Sequence, residues 1–270
     1  MYSGTTLRNK SGHMLGAHQK IDRVARRHFK QLLPEFPFPR IAQILHFEGR
    51  NGPDGIKRKR PAIDEPWHFI DPKDADDTHL LDMIDDHAYN LTAALKSDNQ
   101  VRAAFEAAWL AHAIVDGLTP AHHYPLEEKL ESLRGGEGLE TRDNLRKKVV
   151  MPGVNSRAKI KNNWEFWGAK GVMTTHVLFE MGVSTTISTR GLKSAKPTEN
   201  ELIRIRREGV RQYFLESMQA VDHLKMYETF SRSGWTSALA RQTYEDLVPI
   251  IIRTVTLAWY YAAWKTEGKQ

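Results

Sequence analysis

The segment WLAHAIVDGLTPAHHYP, residues 109–125, places polar side chains on an otherwise apolar helix. His112 and Asp116 are four residues apart, so their side chains project from the same helix face about one turn apart. Gly117 ends the predicted helix, and His122 follows closely enough for its side chain to fold back toward this face. Such a cluster is typical of metal ligands, although a single buried histidine is more often a hydrogen-bonded core residue.

A second pair has the same spacing on another apolar segment. His176 and Glu180, in TTHVLFE, again put an imidazole beside a carboxylate one helical turn away. Burying a glutamate without a partner is costly or shifts its pKa, so this pair indicates a cation nearby. The chain contains no cysteine, and any transition-metal site must therefore use histidine and carboxylate ligands.

The elements that must position these residues are helical. Almost every periodic segment has helical rather than alternating spacing, and no internal repeat or long linker divides the 270 residues. We therefore predict an all-α fold and a single domain over residues 1–270. The balance of 39 basic and 33 acidic residues gives a net charge of +6, which mildly favours anionic partners such as nucleic acid, lipid phosphate or phosphoesters.

Capping residues and breakers predict where several helices begin. The first helix is expected to begin near Ala17, Asp74 to cap a helix through HLLDMIDDHAYNLTAAL, and Ser97 or Asp98 to cap the next. Residues 135–163 are rich in glycine, asparagine and basic side chains, which predicts a mobile excursion with one short helix.

Two further segments are rich in apolar side chains. Trp164 and Trp167 are expected to begin a core helix, the alternative being a stacking wall for a base or a cage for a choline head group. Residues 247–264 contain Pro249 and Arg253 and barely reach the ~20 residues that a spanning helix needs. A buried C-terminal helix is therefore predicted there, with no stable membrane insertion. No signal-peptide core occurs in the first 25 residues, which favours the cytoplasm.

These motifs resemble the zinc-dependent phospholipase C and P1/S1 nuclease superfamily of all-α phosphoesterases. That family has a central His-x3-Asp-x5-His element with a proline two residues before the last histidine. The matching residues here are His112, Asp116, Pro120 and His122. A later His-x3-Glu of the family is similar to His176 and Glu180.

The resemblance continues toward the N-terminus. The family has an aspartate about fourteen residues before a histidine that is followed by an aromatic residue, and Asp54 and His68-Phe69 have this spacing. A histidine also opens the family's first helix, and His18 in GAHQKIDRVA looks similar.

The resemblance implies a centre of two or three zinc ions. One ion would be held by Asp54, His68, His112 and Asp116. A second would be held by His122, His176 and Glu180, and Asp116 would bridge to a third at His18. Asp54 would also be the candidate general base toward the attacking water. Asp71 and Asp22 are expected to orient the imidazoles, with a solvated carboxylate in the first helical turn as the alternative for Asp22.

One departure concerns the third ion. In the family, an N-terminal tryptophan supplies ligands to it, and this chain has no tryptophan near its start. Either another N-terminal residue such as His13 replaces it, or the third site is empty and a two-zinc centre remains.

Other basic residues have weaker patterns. The spacing selects His122 over its neighbour His123, which stays an alternative ligand. His46 and Glu48 precede Asp54 and are candidates for an outer layer of the site. The run 57–60, KRKR, separates two expected ligands and should lie at the mouth of the site, where it would attract an anionic substrate. The remaining helical histidines are expected at the surface or in the core: His28, His79, His87 and His223.

The function that this resemblance implies is zinc-dependent hydrolysis of a phosphodiester or phosphoester bond. The absence of cysteine and the PDG and HAIVDGLTPAHH motifs are closer to the phospholipase C branch than to the disulfide-containing nucleases. The expected partner is a phospholipid head group or a nucleic acid. Two alternatives stay open, a single-strand-specific nuclease or nucleotidase on the same centre, and a zinc-binding protein without hydrolase activity.

Overall fold

The computed structural model describes residues 16–57 and 59–268, and all regular elements in these ranges are helical, so the predicted all-α class is confirmed. The α-helices are α1 (Ala17–Leu32), α2 (Ile41–His46), α3 (Pro53–Ile56), α4 (His79–Lys96), α5 (Gln100–Gly117), α6 (Leu126–Leu133), α7 (Leu145–Val149), α8 (Ser156–Trp167), α9 (Val172–Ile187), α10 (Glu199–His223), α11 (Met226–Ser233), α12 (Ser237–Gln242) and α13 (Val248–Thr266).

The C-terminal helix α13 is the centre of the core. It packs against α1, α4, α5 and α10, and its apolar residues cover most of its circumference, which is typical of a fully enclosed helix. Trp259 is completely buried and its indole N–H donates to the carbonyl of Ala107, 3.0 Å away. The helical stretch Ser237–Thr266, which includes α12 and α13, is long and apolar enough to cross a membrane. However, 78% of its most apolar 18 residues are buried inside the protein. The prediction of a buried C-terminal helix is confirmed.

Helix α5 carries the central motif and is built to pack closely. Small buried side chains such as Ala107 and Ala111 let α1, α4 and α13 approach its backbone. Its N-cap is Asn99, whose side-chain oxygen accepts from the Arg102 N–H, so the predicted caps Ser97 and Asp98 were wrong. Asp98 instead makes the preceding turn in a left-handed conformation, with φ of 50°.

The start of α4 also differs from the prediction. Asp74 lies in a turn where its side chain accepts from the Asp76 N–H, and the helix begins only at His79. The carboxylate therefore stabilises the turn before the helix and does not cap it, because a local hydrogen bond competes for it.

Residues 135–163 contain more helix than the one short element predicted. Two asparagine caps explain the difference, because the side-chain oxygens of Asn144 and Asn155 accept backbone N–H groups at the starts of α7 and α8. A small second core anchors the segment, formed by Leu126, Leu130, Leu133, Met151 and Phe166.

The expectation that Trp164 and Trp167 begin a core helix was wrong. Both lie near the end of α8, with exposed fractions of 71% and 46%, while Phe166 between them is buried. Gly168 and Gly171 separate this helix from α9. The apolar composition of WEFW predicted burial, but only one of the three aromatic side chains faces the core.

Gly117 allows α5 to end against two neighbouring helices. A Cβ atom added there would lie 2.6 Å from both Leu80 Cδ2 and Phe214 Cζ. We expect Gly117→Ala to lower the free energy of unfolding by about 1–3 kcal/mol through overpacking, as measured by urea denaturation. Gly191→Ala is the control, because an added Cβ there meets no atom within 4 Å, and its effect should stay within about 0.5 kcal/mol. Equal effects of the two substitutions would contradict this packing argument.

Candidate metal centre

The structure brings all eight predicted ligands together from six parts of the chain. They come from α1 (His18), α3 (Asp54), the segment before α4 (His68), α5 (His112 and Asp116), the 3-10 turn Pro120–His123 (His122) and α9 (His176 and Glu180). Side-chain contacts of 4.0 Å or less link these eight residues into one continuous cluster.

Asp116 lies at the middle of this cluster and is only 1% exposed. Its Oδ2 is 2.5 Å from His68 Nδ1 and 3.2 Å from His112 Nε2. Its Oδ1 is 3.2 Å from His18 Nε2 and 3.8 Å from His122 Nδ1. Each carboxylate oxygen therefore faces two imidazoles, an arrangement that permits one carboxylate to serve two cation positions.

Asp54, His68 and His112 form the first ligand group, whose donor atoms lie within 4.8 Å of one another. His68 Nε2 is buried and has no hydrogen-bond partner in the described part of the chain, whereas His112 Nε2 lies 3.2 Å from Asp116 Oδ2 and 4.0 Å from Asp54 Oδ1. Buried imidazole nitrogens normally have partners, so His68 Nε2 fits a group that accepts nitrogen ligands. The nitrogen and oxygen donors suit a divalent transition metal.

His122, His176 and Glu180 form the second ligand group. Glu180 Oε1 lies 3.0 Å from His122 Nε2 and 3.1 Å from His176 Nε2. On the other side of its ring, His122 Nδ1 lies 2.7 Å from the carbonyl oxygen of His68 and donates to it. This bond fixes the tautomer in which Nε2, on the Glu180 side, has the lone pair that a metal ion would bind.

The electrostatics favour neutral imidazoles at two of these positions. Burial lowers the pKa of His68 to about 3, and the nearby cation of Lys57 acts in the same direction. Burial is also the main cause that lowers the pKa of His122 to about 4. Both rings are then neutral at neutral pH, the state in which imidazole binds a metal.

The carboxylates oppose burial elsewhere in the cluster. Burial lowers the pKa of His112, but the charges of Asp116 and Glu48 outweigh it and hold this pKa well above the usual value. Burial raises the pKa of Asp116, but nearby positive charge and a hydrogen bond with His112 outweigh burial and bring this pKa well below its usual range. Asp116 is therefore ionised, the state in which a carboxylate binds a metal cation.

Glu48 is an important residue whose position the sequence only partly indicated. It is 1% exposed, and its Oε1 accepts a hydrogen bond from His112 Nδ1 at 3.2 Å. The other ring nitrogen of His112, Nε2, is the one that lies toward Asp54. Glu48 also forms a third ligand group with His18 and His112. No cationic residue lies three or four positions away from it, so its partner had to come from elsewhere in the fold.

The other residues expected in an outer layer differ in their placement. His46 is exposed, and Asp71 is exposed and accepts from the Lys73 N–H, so both expectations were wrong. Asp22 is buried beside this cluster, where burial and then the charge of Glu48 raise its pKa. His13 lies outside the described residues.

His123 does not join its neighbour His122. Its Nε2 lies 2.9 Å from the carbonyl oxygen of Gly117, which ties the ring to the end of α5. In the described ranges, His123 belongs to no ligand group, and the same holds for His28, His79, His87 and His223.

The centre opens to solvent at Asp54. The Asp54 side chain is 28% exposed, against 2% for Asp116, and its Oδ1 lies 3.3 Å from Lys57 Nζ. Lys148 Nζ, on α7, donates to the carbonyl oxygens of Lys57 and Arg60. These bonds hold the basic loop, residues 57–60, against α7. The ammonium group of Lys57 therefore lies beside the solvent-accessible side of the cluster.

Comparisons of the chain with protein-family models, with curated protein sequences and with solved structures found no match.

The two adjacent histidines should differ in metal binding. After loading with zinc and gel filtration, we expect His122→Ala to contain at least one zinc ion fewer per chain than the wild type, because it removes a ligand atom from the second group. His123→Ala is the matched control and should keep the wild-type content by mass spectrometry of the metal. A loss of zinc in His123→Ala alone would reverse the assignment.

The contact between Glu48 and His112 predicts an effect on affinity. Glu48→Gln keeps the shape of the side chain but removes the negative charge that orients the His112 ring. It should weaken zinc binding by about 10–100-fold in competition titrations with a chelating dye. Glu106→Gln is the control, because Glu106 is equally buried and bonds His87 Nδ1 at 2.6 Å outside the cluster. It should change thermal stability and leave zinc affinity unchanged, and equal weakening by both variants would argue against a specific role of Glu48.

Proposed function

We propose that this protein is a zinc-dependent hydrolase of phosphodiester or phosphoester bonds, similar to phospholipases C. The observation that carries the proposal is the continuous cluster of eight residues with nitrogen and oxygen donors, centred on Asp116, with the cation of Lys57 at its open side. This donor set suits zinc. Its separate ligand groups suit two or three ions.

Zinc ions held in this way would bind the non-bridging oxygens of the substrate phosphate, lower the pKa of a shared water and stabilise the leaving alkoxide. The chain contributes the positions of these groups. Asp116 would bridge two cation positions, and His68, His112, His122 and His176 would hold the cations in place.

Asp54 and Lys57 would act on the substrate side of the centre. Asp54 is the carboxylate of the first ligand group and its side chain is 28% exposed, so it can both bind a cation and accept a hydrogen bond from the attacking water. Lys57, 3.3 Å from it, would attract and orient the anionic phosphate. Each role follows from where the side chain lies relative to the opening.

A second candidate substrate class is single-stranded nucleic acid. The observation that favours it is the basic loop at the opening, together with a net charge of +6. The order of preference is tested by comparing release of a phosphorylated head group from phosphatidylcholine with cleavage of single-stranded DNA at equal protein concentration. Faster cleavage of DNA would establish the nuclease as the better description.

The zinc-loaded protein should hydrolyse bis(p-nitrophenyl) phosphate, lose this activity with a chelator and regain it when zinc is restored. Asp116→Asn should reduce kcat/KM by more than about 100-fold, beyond the range typical of outer-layer residues, because it disrupts a shared ligand. Asp71→Asn, at an exposed aspartate outside the cluster, is the control and should retain activity. Full zinc occupancy without turnover of any phosphoester would identify a zinc-binding protein and overturn the hydrolase proposal.

A further inference from the structure

Helix α8 turns an apolar stripe toward solvent. Ile160, Trp164 and Trp167 follow one another at i, i+4 and i+7, and their exposed fractions are 71%, 71% and 46%. Phe166 lies on another side of the same helix and packs in the small second core. A stripe of this kind usually faces the core of a protein, so its exposure indicates a surface that something else covers.

The apolar surface continues onto α9. Thr174 Oγ1 donates to the carbonyl oxygen of Trp167 at 2.9 Å, which places this side of α9 beside the end of α8. Leu178 and Met181 lie one and two turns after Thr174 on the same side, with exposed fractions of 48% and 50%, and Val177 borders them at 38%. We call the six residues Ile160, Trp164, Trp167, Val177, Leu178 and Met181 the outer face.

The surroundings of the outer face are cationic. The exposed basic residues of α8 and the following turn are Arg157, Lys159, Lys161 and Lys170. Glu165 is the single acidic residue between positions 156 and 170, and its carboxylate lies 3.7 Å from Lys161 Nζ. The rim therefore has an excess of positive charge.

We propose that the outer face docks onto the surface of an anionic phospholipid bilayer. Tryptophan side chains are favourable at the level of lipid head groups, apolar side chains bury into the boundary below them, and lysine and arginine pair with lipid phosphates. A second copy of this chain fits less well, because it would bring two cationic rims together. A nucleic acid would pair with the rim but leave Ile160, Leu178 and Met181 without apolar contacts.

This surface extends the proposed function by naming where its substrate lies, and to that extent it rests on the proposed function. Helix α9 carries His176 and Glu180 on one side and its three residues of the outer face on another. Val177, one of these three, directly follows His176. Because a helix with its side chains is about 10–12 Å across, docking through the outer face brings the centre close to the bilayer.

The test is co-sedimentation of the zinc-loaded protein with vesicles of phosphatidylglycerol and phosphatidylcholine in equal amounts. The wild type should bind, with a blue shift of tryptophan fluorescence, and should bind less at high salt or to vesicles of phosphatidylcholine alone. The double variant Ile160→Ser, Trp164→Ser should lower the partition coefficient by at least about tenfold. The control is Tyr89→Ser, Val101→Ser, at residues that are 76% and 68% exposed on other helices, and it should bind like the wild type.

The outcomes separate this inference from the hydrolase proposal. The double variant at positions 160 and 164 should hydrolyse soluble bis(p-nitrophenyl) phosphate at the wild-type rate, and Asp116→Asn should still bind vesicles. Vesicle binding without hydrolysis of any phosphoester would overturn the proposed function alone. Equal vesicle binding by the two double variants, no binding by the wild type, or a dimer in sedimentation equilibrium that the 160/164 variant abolishes would overturn the docking proposal alone.

Discussion

The site depends on one buried charge, the carboxylate of Asp116. An ionised group at this depth is costly unless partners surround it, and four imidazoles from four different parts of the chain contact its two oxygens. The same contacts bring those four parts together, since α1, the segment before α4, α5 and the turn after α5 each supply one ring. Assembly of the centre and compensation of this buried charge are therefore the same physical event.

The rest of the fold makes that convergence possible. Helix α13 is enclosed on most sides and holds α1, α4, α5 and α10 around it, which gives α5 a rigid environment. Alanines along α5 and Gly117 at its end let neighbouring backbones come close enough for His18 and His112 to stack, with ring centroids 4.2 Å apart. Behind the ligands, Glu48 and the carbonyl oxygen of His68 orient two imidazoles. The positions of the candidate ligands thus result from packing and from a second layer of hydrogen bonds.

The side chains of helix α9 lie in three different environments. Phe179 and Val183 pack in the core, His176 and Glu180 face the centre, and Leu178 and Met181 face solvent. Its composition is apolar nearly all round, which by itself indicates a buried helix. The observed exposure on one side is what connects the proposed chemistry to a proposed lipid surface.

The sequence by itself determined the helical class and the pairing of the candidate ligands that lie on regular helices. A spacing of four residues places His112 with Asp116, and His176 with Glu180, on one helix face regardless of what surrounds the helix. Caps were predicted less well, because Asp74 and Asp98 take part in local turns that compete with capping. Only the tertiary structure decided that Glu48, not His46 or Asp71, contacts the ring of His112, and that Trp164 faces solvent while Phe166 is buried. The reason is physical: periodicity records which side chains share a helix face, whereas the partner of that face is set by packing between segments far apart in the chain.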